Sequence, residues 1–177
     1  WVGGVDYAWL TAGNWSLGHV PLSNERVGIY GSSPLTITYS GTGSVRSLVS
    51  DWSFSMVGSS TSLTVSNNAV FNAGLSLDAN STLTVNGALQ LANNPVIAKG
   101  GKVNLGPAAS LSIGGNAYTL IRDIAALQAI GSNTPYALAT DIDASVTVAW
   151  NGGEGFAPLY FASSFEGLGH SVANLTI

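Results

Sequence analysis

Hydrophobic and polar positions alternate along this chain in short bursts, and between Leu63 and Ile113 the bursts return at a regular step. Leu63-Thr64-Val65 recurs twenty residues later as Leu83-Thr84-Val85, and twenty after that as Val103-Asn104-Leu105. Ala69-Val70-Phe71 is followed by Leu89-Gln90-Leu91 at twenty and Leu111-Ser112-Ile113 at a further twenty-two, and Leu75-Ser76-Leu77 by Pro95-Val96-Ile97. Apolar-x-apolar triplets have the period of strands. A constant spacing near twenty is the mark of a solenoid.

Turn formers separate the triplets. Ser66-Asn67-Asn68 aligns with Asn86-Gly87-Ala88 and Gly106-Pro107-Ala108; Asn72-Ala73-Gly74 with Ala92-Asn93-Asn94 and Gly114-Gly115; Gly58-Ser59-Ser60 with Asp78-Ala79-Asn80 and Ala98-Lys99-Gly100-Gly101. Three strands and three corners per period predict an all-β fold, a parallel β-helix of three strands and about 20–22 residues per turn. At ~3.3 Å per residue the perimeter is roughly 65 Å, so the interior holds inward side chains and little else. The expected core is Leu63, Val65, Phe71, Leu75, Leu77, Leu83, Val85, Leu89, Leu91, Val103, Leu105, Leu111 and Ile113. Thr64, Thr84 and Asn104 form an outward ladder. An antiparallel sandwich also has short strands and frequent turns, but it requires no constant step.

The flanks are less regular. Residues 1–34 carry three tryptophans and form the irregular opening. Residues 35–117 hold the solenoid, irregular up to 62. Residues 118–177 are a further module, expected to continue the β-helix. Within it Tyr118 to Ile121 reads as a strand, and Ile124, Leu127 and Ile130 share one helical face behind an Asp123 N-cap, with Gly131 as the stop. That predicts one short helix near 123–130, packed on the solenoid flank. Strands are expected again at 136–140, 146–150 and 170–177.

Composition narrows the function. Only 8% of residues are charged, and the net charge is −4 with five basic residues, which argues against nucleic acid, polyanionic glycans and anionic membrane surfaces. No cysteine is present, so disulfides and thiolate metal sites are excluded. No apolar run reaches the eighteen residues of a membrane span. Both ends read as cut from something longer, and further β-helix turns of a parent chain are expected partners.

Candidate chemistry is sparse. Trp1, Trp9 and Trp15, with Trp150 near the other end, are the aromatic candidates for stacking on a sugar ring. The plainer reading of the first three is a plug over the open end of the solenoid. His19 has no second His, Cys or acid at metal-ligand spacing and reads as a loop residue. Asp141 and Asp143 are an acidic pair two apart on a strand, ~7 Å from each other, which suits a carboxylate pair or a Ca²⁺ site. The plainer reading is that they hold loop N–H groups. In the twenty-residue register Asp78 falls between Gly58 and Ala98, Asp51 falls near Phe71, and Lys99 and Lys102 have no acid one period earlier. Sequons stand at Asn14, Asn80 and Asn174.

The last third resembles a known module. Tyr118-Thr119-Leu120-Ile121, Leu127 to Gly131, Tyr136-Ala137-Leu138, Asp141 to Ser145, Phe156 to Leu159 and above all the run Phe165-Glu166-Gly167-Leu168-Gly169-His170-Ser171-Val172-Ala173-Asn174-Leu175-Thr176-Ile177 resemble the GLUG-motif module of large bacterial adhesins similar to filamentous haemagglutinin. Glu166 stands where the motif usually has Asp, and one copy is present. The opening Trp1-Val2-Gly3-Gly4, Asn14-Trp15-Ser16 and Val20-Pro21 is similar to the start of β-helical segments in the same exoproteins. The resemblance implies a right-handed β-helix, export by the two-partner route, and a secreted or cell-surface place. It implies no catalytic set and no cofactor. The function expected is structural display or attachment to a surface glycan or protein receptor, not catalysis. The alternatives are a polysaccharide lyase or hydrolase using Asp141 and Asp143, and a ligand-free spacer.

Overall fold

The computed structural model describes residues 1–31, 35–131, 133–160 and 162–177; the expected boundary at residue 34 lies outside them. The chain winds through three parallel sheets in strict rotation. The strands run β1 (Arg26–Ile29), β2 (Thr36–Tyr39), β3 (Thr42–Val45), β4 (Ser47–Ser50), β5 (Ser53–Met56), β6 (Ser62–Val65), β7 (Ala69–Phe71), β8 (Leu75–Leu77), β9 (Thr82–Val85), β10 (Ala88–Leu91), β11 (Val96–Ile97), β12 (Lys102–Leu105) and β13 (Ser110–Ile113). The first face stacks β1, β4, β7, β10 and β13; the second β2, β5, β8 and β11; the third β3, β6, β9 and β12. This is a parallel β-helix of about five turns.

Strand periodicity decides what is inside. In β6 and β9 the second and fourth side chains are buried while the other two look outward. The register places Leu63 on Leu83 on Val103, and Val65 on Val85 on Leu105, with Thr64, Thr84 and Asn104 as the outer ladder. Each buried Leu or Val removed from water contributes about 1.5–3 kcal/mol, and every residue of the expected core is buried. One corner repeats with the strands: Ser60, Asn80 and Gly100 have φ of 67°, 60° and 80°. That left-handed position is the reason Asn and Gly recur there.

An aromatic column closes the first turns. Trp9 meets Trp15 edge-on at 4.8 Å, Tyr39 at 5.6 Å and Phe54 at 5.7 Å, and Phe54 continues to Phe71 at 5.5 Å. Asn14 is fully buried beneath it. Its Oδ1 accepts from the N–H groups of Val5 and Asp6, and its Nδ2 donates to Asp6 Oδ1 and to the Ala8 carbonyl. Tyr7 and Trp9 bond to both sides of Thr38, so the opening segment covers the free edge of β2.

At the other end the chain departs from expectation. Gly114 and Gly115, expected as a solenoid corner, have φ of 57° and 79° and form a two-residue hairpin of the kind that needs two left-handed residues. β14 (Asn116–Ile121) therefore runs back antiparallel on β13. β15 (Tyr136–Leu138) and β17 (Phe165–Glu166) follow parallel to it, and β16 (Ile142–Asp143) pairs with β18 (Val172–Ala173). The module folds back over the last turn instead of adding turns in the same sense.

The expected helix forms as α1 (Ile124–Gln128), with Asp123 accepting from the Ala126 N–H at 2.7 Å. Ile124 and Leu127 pack with Ile121, Tyr136, Leu138, Ile142, Ala144 and Phe156 in a second, smaller core. The strand expected at 146–150 is instead a run of 3-10 turns over Ser145–Gly153. Thr147 turns inward to bond the Ala144 carbonyl, and Asn151 and Gly152 take positive φ. The strand expected over 170–177 is confined to β18, because Asn174 is left-handed at φ 58° and ends the pairing.

Candidate functional sites at the two ends of the solenoid

The last turn would leave the edge of β12 open, and the C-terminal module seals it. The Val103 N–H donates to the Leu168 carbonyl at 2.9 Å, and the Leu105 N–H to the Ala139 carbonyl at 3.3 Å. His170 Nε2 lies 2.9 Å from the Val103 carbonyl. Arg122 donates through Nη1 to the Leu105 carbonyl and through Nη2 to that of Gly106. Leu168 is fully buried against the solenoid core, at φ 51°. Gly169 comes so close that a Cβ on it would strike the Gly101 carbonyl, and no other residue fits there.

Asp141 belongs to this seal. Its Oδ1 accepts from the Ser171 N–H at 2.9 Å and from the Ser171 hydroxyl at 3.1 Å, and its Oδ2 accepts from the Lys102 ammonium. The Lys102 bond, with those from Ser171, holds its carboxyl down at about 2 against partial burial. Asp143 accepts from Asn174 Nδ2 and from the Ser145 N–H, both at 3.0 Å, and those bonds lower its carboxyl as well. The two acids are exposed on the same face with Ile142 buried between them, as alternation requires. Their oxygens meet N–H and O–H donors and, at Asp141, the Lys102 ammonium. The two acids thus hold backbone N–H groups of the cap. Among the described residues no group of three or more His, Cys, Asp or Glu converges on a metal position.

Burial pushes the His170 imidazole below its ordinary value, against the opposing pull of the Val103 bond and of Asp141. A carbonyl only accepts, so Nε2 carries the proton and Nδ1 the lone pair. Nδ1 is buried without a hydrogen bond among the described residues and stands 3.7 Å from Asp141 Oδ1. Lys102, Asp141, His170 and Ser171 meet here as the lock of a cap.

At the opposite end lies a cleft of about 570 Å³. Its floor is the outer face of β1 and β4, where Arg26 pairs with Ser47 and Gly28 with Val49. Trp1, Trp15 and the loop around Leu17, His19 and Pro21 form its wall, and Glu25 and Tyr30 complete it. A Cβ on Gly28 would strike the Tyr30 ring, so the missing side chain seats that ring against the strand. Tyr30 remains 66% exposed. Glu25 is fixed by the Leu22 N–H at 2.8 Å and by His19 Nε2 at 3.6 Å. Arg26 makes no ion pair or side-chain hydrogen bond among the described residues.

The tryptophans divide between the two readings. Trp9 and Trp15 are buried in the plug, and Trp15 also borders the cleft. Trp1 is half-buried against Trp15, with one side on the cleft. Trp150 stacks on Phe156 at 6.3 Å within the second core. Sequence reasoning missed Arg26 and Tyr30; the signal was Gly28 between Val27 and Ile29, a glycine inside a strand that marks a close approach. Of the three sequons, Asn14 is sealed in the fold, while Asn80 and Asn174 are exposed.

Comparison with known proteins adds one likeness. Over 73 aligned residues, 33% of this chain, the sequence is 38% identical to halomucin of Haloquadratum walsbyi (strain DSM 16790 / HBSQ001). The match spans about 1% of that protein's length. No family model matches the chain, and no solved structure matches it.

Proposed function

We propose that this chain is a structural and display segment of a secreted or cell-surface protein, holding a binding surface away from the cell and attaching to glycans or proteins there. The observation that carries the reading is the unbroken column of stacked side chains from Trp9 to Ile113, plugged at one end and locked at the other by its own chain. A solenoid whose turns contact only their neighbours converts length into reach. A parallel β-solenoid and the likeness to a stretch of halomucin, a haloarchaeal cell-surface protein, are compatible with a surface or structural role. The finer assignment, a bacterial adhesin of the filamentous-haemagglutinin type ending in a GLUG module and exported by two-partner secretion, rests on the motif residues from Phe165 to Ile177.

We read the chain as non-catalytic, because Asp141 and Asp143 each hold backbone N–H groups of the cap. One observation favours a second reading as a polysaccharide-cleaving enzyme: Lys102 and His170 stand beside Asp141. Alanine at both Asp141 and Asp143 separates the two. The display reading expects a lower melting temperature with unchanged retention on surface glycans. Loss of a measurable cleavage activity with the fold intact would move the assignment to the enzyme.

A further inference from the structure

The N-terminal cleft has the size and lining of a small-molecule site. Its 570 Å³ falls within the ~300–1,000 Å³ usual for such sites. Three features define what it would take. Tyr30 offers a flat aromatic face, held against the strand by the absence of a side chain at Gly28. Arg26 offers a guanidinium whose fork matches a carboxylate and which has no ion pair or side-chain hydrogen bond among the described residues. Glu25, His19, Ser16 and Ser47 supply polar partners suited to hydroxyl groups. A hydroxylated ring with one carboxylate satisfies all three. A run of such charges does not, because Glu25 lines the same cleft and the chain carries a net charge of −4.

We infer that the cleft binds a single uronic-acid unit of an otherwise uncharged glycan, the pyranose lying on Tyr30 and its C6 carboxylate paired with Arg26. The inference rests on the attachment reading and gives it a site and a ligand class.

The test is a titration of the folded protein with methyl glucuronide and methyl glucoside, which differ only at C6. Saturation-transfer NMR and tryptophan fluorescence read the binding. The glucuronide saturates, and the glucoside binds at least ~10-fold more weakly, the order expected for one charge-assisted pair. Arg26→Gln removes that preference, Tyr30→Ala weakens both sugars, and Lys99→Gln, outside the cleft, changes neither. Equal binding of the two sugars, no saturation by either, or a preference that survives Arg26→Gln overturns the inference. Retention of the protein on polysaccharides without any glucuronide preference also overturns it, while leaving the attachment reading in place. A glucuronide preference without retention on any polysaccharide or protein surface supports the cleft and removes the attachment reading.

Discussion

Truncation of Leu168 isolates the contribution of the cap. Its side chain is fully buried against the end of the solenoid, and its carbonyl receives the Val103 N–H. Leu168→Ala removes three carbon groups, worth roughly 2.4 kcal/mol at ~0.8 kcal/mol each, and the cavity left behind brings the loss to about 2–5 kcal/mol. The backbone supplies a second, sharper expectation. At an extended buried position such as Leu75, glycine is worse than alanine by about 1.3–1.8 kcal/mol, from the lost methyl and the added chain freedom. At Leu168 the left-handed φ of 51° costs any L-residue about 1–2 kcal/mol that glycine escapes. Leu168→Gly and Leu168→Ala should therefore agree within about 0.8 kcal/mol, while the Leu75 pair splits by more. Urea denaturation followed by tryptophan fluorescence gives all four values. Hydrogen exchange at the Val103 amide shows whether the seal has opened. A loss below about 1 kcal/mol for Leu168→Ala, outside the range for a buried Leu, refutes the reasoning, as does a Leu168 pair that splits like the Leu75 pair.

Two further predictions concern the polar groups. Acid should destabilise the fold: His170 is depressed by burial, Asp141 is held at about 2, and Asp143 and Asp6 are lowered by their hydrogen bonds. In each case the unfolded chain takes up protons first, so stability is full above the ordinary histidine value near 6.5 and falls with pH. The Asp141 part is lost between about 4 and about 2. A series of melting temperatures checks the sign, Asp141→Asn should flatten the lowest part, and a higher melting temperature at pH 5 than at pH 7 would contradict it. Asn14→Ala strips four hydrogen bonds from a buried site and should cost about 2–4 kcal/mol in urea denaturation, through orphaned partners more than lost packing.

The solenoid was legible in the sequence because a parallel β-helix repeats its inward positions in step with the chain. Leu63, Leu83 and Val103 had to stack if any solenoid formed. Gly114-Gly115 misled because two glycines serve a corner and a hairpin equally well, and only the strand that follows decides. Val146-Thr147-Val148 alternates like a strand, yet Thr147 is buried by its bond to Ala144 and the flanking valines are exposed. The partner of Lys102 lay beyond the repeat rule, since Asp141 is 39 residues away across the cap. Arg26 and Tyr30 were hidden for a related reason: a cleft on an outer face depends on how the opening loop folds back, which periodicity does not specify.

One incubation tests the central claim most directly. The intact protein is exposed to immobilised host and bacterial polysaccharides and surface proteins, and retention is recorded together with new reducing or unsaturated ends. The account predicts retention without products. Products would contradict it and make Asp141, Lys102 and His170 the first residues to examine; absence of both retention and products would contradict it in favour of a ligand-free spacer.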